Sequence, residues 1–135
     1  MSEHKLRISV KGIFKNSDNK VLLVKLGRNG QDFWSAPGGG VEEDEAMGDT
    51  LSRELREETG YSVEIGDIIF VQDIKFASGA RQLELFFNGK VLEKISEAEE
   101  EFGFFSEEEF KKIKFMPKGF DPFAKHQTLP FVSEV

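Results

Sequence analysis

Leu6, Ile8 and Val10 alternate with Arg7, Ser9 and Lys11, a period of two that predicts a half-buried β-strand. Asn16-Ser17-Asp18-Asn19 is a turn cluster, and Val21 to Leu26 resumes strand character, so residues 5–26 predict a hairpin. A loop is expected over Gly27 to Gln31, and Phe33 to Pro37 then leads into Gly38-Gly39-Gly40, where backbone can approach a ligand closely because no Cβ intervenes. Residues 46–59 carry few β-branched side chains and fit a helix that stops at Gly60, a suitable C-cap. Two further strands are expected over Ile65–Phe76 and Gln82–Leu92, joined around Ser78-Gly79. Glu93 to Glu101 reads as an acidic connection. Ser106 and Glu109 then have the spacing of a capping box that opens a short second helix. After Met116, prolines among aromatics predict an irregular tail. The succession is mixed α/β, with helices outside a sheet.

At 135 residues the chain is expected to form one domain, 1–135. With 39% hydrophobic and 32% charged residues it is globular in composition. The absence of cysteine excludes disulfides, thiolate metal sites and cysteine nucleophiles. A net charge of −7 disfavours polyanions such as nucleic acid, although a small phosphate ligand can still be held by a metal and a few bases. The N-terminal segment MSEHKLRISV has no apolar core, and no apolar run approaches membrane-spanning length, so a cytoplasmic protein without membrane contact is expected, as monomer or homodimer.

The segment from Gly39 to Tyr61 carries the chemistry. On a helix each residue advances about 100°, so Glu57 lies about 60° to one side of Glu54 and Glu58 about 40° to the other. Three carboxylates thus share a face, while Leu51 and Leu55 lie further round, toward a sheet. Like charges this close are unfavourable unless cations neutralise them or one stays protonated. Hard oxygen donors without His or Cys suit magnesium or manganese rather than zinc. Arg53 and Glu57 are four apart and can pair along the helix, which makes the arginine an orienting group. Glu45, near the helix start, is placed to favour the helix dipole and to hold exposed backbone amides. A glutamate-rich helix is ordinarily a solvated face, and only the fixed spacing argues otherwise.

Gly39, Glu45, Arg53, Glu54, Leu55, Glu57, Glu58 and Gly60 stand in the pattern G-x5-E-x7-R-E-U-x-E-E-x-G-U, with U hydrophobic. This resembles the signature of the Nudix hydrolases, which include the MutT-like enzymes. Tyr61 departs mildly from it, standing where an aliphatic residue is more usual, and is expected to affect packing only. The resemblance covers nearly the whole chain and implies an α/β/α sandwich, a mixed sheet flanked by helices. It also implies that Glu54, Glu57 and Glu58 hold Mg2+ (or Mn2+), with one of them a possible general base, and that a carbonyl of Gly38 or Gly39 is a further metal ligand, Gly38 first. In relatives another ligand comes from a loop before the second helix. Counting back from Phe104 in the run Phe104-Phe105-Ser106 selects Glu99 from Glu97, Glu99, Glu100 and Glu101, all of which are equally readable as solvated charges.

The activity so implied is metal-dependent hydrolysis of a nucleoside diphosphate linked to another group, with a small nucleotide as substrate. Some relatives specific for ADP-ribose carry a proline shortly after the motif, and some specific for dinucleoside polyphosphates a tyrosine. Neither occurs between Ile65 and Leu92, which favours a nucleoside triphosphate or a modified one. ADP-ribose, nucleotide-sugar and dinucleoside polyphosphate hydrolysis are the enzymatic alternatives, along with cleavage of RNA caps or 5′-triphosphates. A non-catalytic nucleotide-sensing module is the alternative from another class, and the intact set of motif glutamates argues against it. Lys11, Lys25, Arg28 and Arg81 are bases that can hold phosphate, with Lys25 and Arg81 preferred. Trp34 is an aromatic that can stack a nucleobase, although in a chain with 14 phenylalanines core packing accounts for most such rings. His4 and His126 lack partners at ligand spacing and are expected to have no role.

Overall fold

The structure, a computed structural model, describes residues 6–28, 31–124 and 131–134. The expected hairpin is β1 (Leu6–Lys15) and β2 (Val21–Arg28). Its turn is built by Asn16, whose side-chain oxygen accepts from the amides of Asp18 and Lys20, both at 3.0 Å. Then come β3 (Gln31–Ser35), β4 (Gly38–Gly40), helix α1 (Met47–Thr59), β5 (Tyr61–Lys75) and β6 (Arg81–Lys94). The chain ends with β7 (Phe102–Phe105), α2 (Glu107–Phe110), β8 (Phe115–Met116) and β9 (Phe131–Glu134).

These strands form one mixed sheet in the order β8-β3-β2-β1-β6-β5-β9, with β4 also on β1 and β7 also on β2. The long central pairing is parallel, β1 against β6 from Leu6↔Arg81 to Lys15↔Lys90. β3–β8 and β5–β9 are parallel too.

Several elements differ from expectation. Within the expected loop at 27–31, Gly27, Arg28 and Gln31 belong to strands, because β2 runs to Arg28 and pairs it with Gln31 at the start of β3. β5 begins at Tyr61, directly after the helix cap, rather than at Ile65. The tail expected to be irregular contributes β8 and β9, both added in parallel to partners far away in sequence. No short-range turn announces such a partner.

Alternation across β1 and β2 divides the core between two faces. Val10, Phe14 and Leu22 face α1 and pack with Leu51 and Leu55, all fully buried. Ile13, Val21 and Leu23 face the other way, against Phe70, Phe86, Phe115 and Phe120. The second helical layer is thin: α2 is a single turn, held by Ser106 and Glu109 in the expected reciprocal capping box, and the segment to Phe123 completes the cover. α1 ends as expected. Gly60 takes the left-handed conformation at φ 79°, and its N–H donates to the Arg56 carbonyl at 2.9 Å. Tyr61 packs edge-on against Phe102 and Phe104, so the departure from the motif pattern is accommodated in packing. Among the described residues no helix is long and apolar enough to cross a membrane.

Candidate functional site

The acidic face of α1 lies against the glycine strand β4, and each contact depends on a missing side chain. Gly38 has φ +154°, and a Cβ there would collide with the Val10 backbone, so the position requires glycine. Its N–H donates to Glu58 Oε2 at 2.9 Å. At Gly39 a Cβ would stand 2.7 Å from Glu54 Cδ and from Glu54 Oε1, so the bare backbone lets that carboxylate close onto the strand.

Arg53 ties the remaining acids together. Its Nε and Nη2 both donate to Glu45, at 2.9 Å each, in a two-pronged contact. Nη1 donates to Glu54 Oε1 at 3.2 Å and to both Glu57 oxygens at 3.3 Å. The expected Arg53–Glu57 pair is present, but Glu45 is the closer partner. Glu45 also accepts from Thr50 Oγ1 at 3.0 Å, so its carboxylate is committed to side chains and not to the helix-end amides assigned from sequence. Eight residues separate Glu45 from Arg53, a spacing no helical rule connects.

The electrostatics follow from this packing. Arg53, through its hydrogen bond, holds the Glu45 carboxyl below its ordinary value. Burial pushes the Glu58 carboxyl up to about 7, with the charges of Glu54 and Glu100 adding to it and the Gly38 N–H and Lys11 opposing it. Glu54 is also raised, by burial first and by Glu57, against the pull of Arg53 and Lys11. Two carboxylates are therefore held where their charge is penalised. Among the described residues, no three acidic or histidine side chains converge as a ready-made metal cage, and Arg53 Nη1 bridges Glu54 and Glu57. The donor set still suits a hard divalent ion: it is all oxygen, rich in negative charge, and seated against backbone without side chains.

The loop before β7 docks on the end of this helix. The amides of Glu99 and Glu100 donate to the carbonyls of Glu57 and Glu58, at 3.0 and 3.1 Å. Glu99 thus lies beside the cluster, while Glu100, passed over from sequence, is the loop residue whose charge acts on Glu58.

The substrate-binding candidates are placed differently. Lys25 and Trp34 are register partners on β2 and β3. Lys25 Nζ lies 3.5 Å from Asp32 and 3.7 Å from Glu101, so its charge is already partnered. Trp34 packs edge-on against Phe105 at 4.7 Å between ring centroids, which accounts for it as packing. Arg81 stands apart from the glutamates. It makes a two-pronged contact with the buried Asp73, at 2.9 and 2.5 Å, near the outer end of β6. Its guanidinium fork is engaged in this strand-to-strand pair. His4, His126 and the side chain of Arg28 lie outside the described residues. An open cavity of about 490 Å3 adjoins the cluster, bounded by Arg7, Gly40, Glu42, Glu45 and Glu54. A larger one, about 550 Å3, lies by Ile13, Lys15 and Lys90 and touches none of the motif glutamates.

A family model described as NUDIX domain matches residues 5–127. An uncharacterised Nudix hydrolase of Bacillus subtilis, YvcI, is 50% identical over 44 residues, 33% of this chain and 27% of that protein. An RNA pyrophosphohydrolase of Halorhodospira halophila is 48% identical over 48 residues, 36% of this chain and 25% of that protein. The chain therefore matches only about a quarter of the length of these curated relatives. Among solved structures, the MutT protein of Methanosarcina mazei superposes with a TM-score of 0.69 at 26% identity, covering 87% of this chain and 88% of that one.

Proposed function

The chain belongs to the Nudix family, and from that premise we propose that it is a magnesium-dependent hydrolase of a nucleoside diphosphate joined to another group, a plain or modified nucleoside triphosphate first. The observation that carries this reading is the seating of Glu54 and Glu58 on the glycine strand, with Arg53 bracing Glu54 and Glu57 from the other side. Glu54, Glu57 and Glu58 hold the ion, assisted by the Gly38 carbonyl and by Glu99 or Glu100 from the docked loop. A divalent cation held by these residues would supply charge to offset that of the diphosphate and would lower the pKa of a bound water. One motif glutamate would accept the proton of the attacking water, and Arg53 keeps Glu57 in position.

The test is a panel assayed with magnesium: nucleoside triphosphates, their oxidised forms, ADP-ribose, nucleotide sugars, dinucleoside polyphosphates and 5′-triphosphate RNA. The RNA arm is included because a relative 48% identical over 48 residues is an RNA pyrophosphohydrolase. From a triphosphate, the expected products are the monophosphate and pyrophosphate. A chain that turns over no member of the panel, with either magnesium or manganese, is not the hydrolase proposed, and binding without turnover would identify a sensing module.

Gly39→Ala probes the seating of Glu54. The added methyl meets only the far end of a flexible side chain, so the melting temperature should change little. The displaced carboxylate should lower kcat by about a hundredfold, the scale of a misplacement of ~1 Å in an active site. Unchanged kcat would remove the Gly39–Glu54 contact from the mechanism.

A further inference from the structure

Of the four bases nominated from sequence, Arg81 is paired with Asp73, Lys25 lies between Asp32 and Glu101, and the Arg28 side chain is not described. Lys11 remains, and it forms no ion pair with any described residue. It is half-buried on β1, opposite Gly38 in the antiparallel register with β4. That glycine is the residue whose N–H holds Glu58. Val10, the preceding residue, points to the core under α1, so alternation turns Lys11 to the other face of the sheet. Its neighbour β4 consists of Gly38, Gly39 and Gly40, which carry no side chains. Its charge acts favourably on both Glu54 and Glu58, yet it pairs with neither.

An ammonium group near two carboxylates but bonded to neither keeps its donors for another anion. We propose that Lys11 is the substrate-phosphate contact of this site, holding one phosphoryl group of the diphosphate beside the Glu54–Glu58 pair. The assignment rests on the diphosphate reading above. Lysine suits the task because it acts as a point charge on a long stem and can meet phosphate oxygens from several directions.

Methylenediphosphonate, the non-hydrolysable core that every diphosphate substrate would share, is the probe. Its affinity is measured by calorimetry at saturating magnesium, and Mn2+ alone is titrated in parallel by electron spin resonance. Lys11→Met should weaken diphosphonate binding by about tenfold or more, the scale of a charge-assisted hydrogen bond. Lys11→Arg should stay within about threefold of wild type, and Mn2+ binding in both variants should change by no more than that. Lys11→Gln carries the same comparison if the methionine variant does not fold. Diphosphonate binding within twofold of wild type in the uncharged variant overturns the assignment. So does a parallel loss of Mn2+ and diphosphonate affinity, which would make Lys11 a positioning residue for the carboxylates. Wild-type protein that fails to bind diphosphonate at saturating magnesium overturns the diphosphate reading itself, and the role of Lys11 with it.

Discussion

Glu58→Gln is expected to lower kcat by at least about a hundredfold, the lower end of the range for losing a positioned proton-transfer group. Folding should survive, because the amide oxygen of the substituted side chain can still accept the Gly38 N–H that Glu58 Oε2 takes at 2.9 Å. The metal-free protein should even gain stability, in a pH-dependent way. Burial, joined by the charges of Glu54 and Glu100, raises the Glu58 carboxyl to about 7. Between the ordinary carboxylate value and about 7, the folded state therefore binds more protons at this group than the unfolded state does. Its contribution to stability falls as pH rises through that window and is constant above it. The glutamine variant lacks this loss. In EDTA, its melting temperature should exceed that of wild type by a margin that widens from about pH 5 to about pH 8. Saturating magnesium should then raise the wild-type melting temperature more than that of the variant. A kcat within threefold of wild type would take Glu58 out of the mechanism.

The sequence was most legible where physics is local. The helix from Met47 to Thr59 follows from its apolar face and from Gly60, whose left-handed conformation is the one such a stop requires. The capping box at Ser106 is a three-residue relation, and the side-chain contacts of the turn at Asn16 reach two and four residues on; both were readable directly. Long-range parallel pairing was not. β1 against β6 joins segments some seventy residues apart through backbone groups every residue carries. β9 is the extreme case, since a proline-rich tail gave no alternation to read. At the site, spacing indicated which glutamates share a helical face but not what lies against them. The burial of Glu58 depends on Gly38, a strand neighbour of Lys11, and that depends on how β4 seats on β1. Likewise, the sequence preferred Lys25 and Arg81 to Lys11 as phosphate contacts. Only the register of the strands separates a base between two acids and a base paired with Asp73 from one left without an ion pair opposite Gly38.

Arg53→Ala is expected to cost about 10- to 100-fold in kcat, the usual scale for losing a group that orients metal-binding side chains. KM should stay nearly unchanged, because the guanidinium contacts Glu45, Glu54 and Glu57 and is assigned no contact with substrate. Removing it leaves three carboxylates without their shared cation, so Glu57 loses the partner that fixes its direction. Lysine should not rescue: a point charge cannot hold Glu45 with two prongs while a third nitrogen reaches Glu54 and Glu57. The clamp on Glu45 gives the prediction a second arm. If Arg53 works by being anchored there, Glu45→Gln should reproduce part of the loss in kcat. The two substitutions combined should then cost less than the product of their separate effects, since they act through one network. Multiplicative losses would mean that Glu45 and Arg53 act separately. A tenfold rise in KM with kcat intact would move Arg53 from the orienting role to the substrate site, and with it the division of labour between Arg53 as brace and Lys11 as phosphate contact would fall.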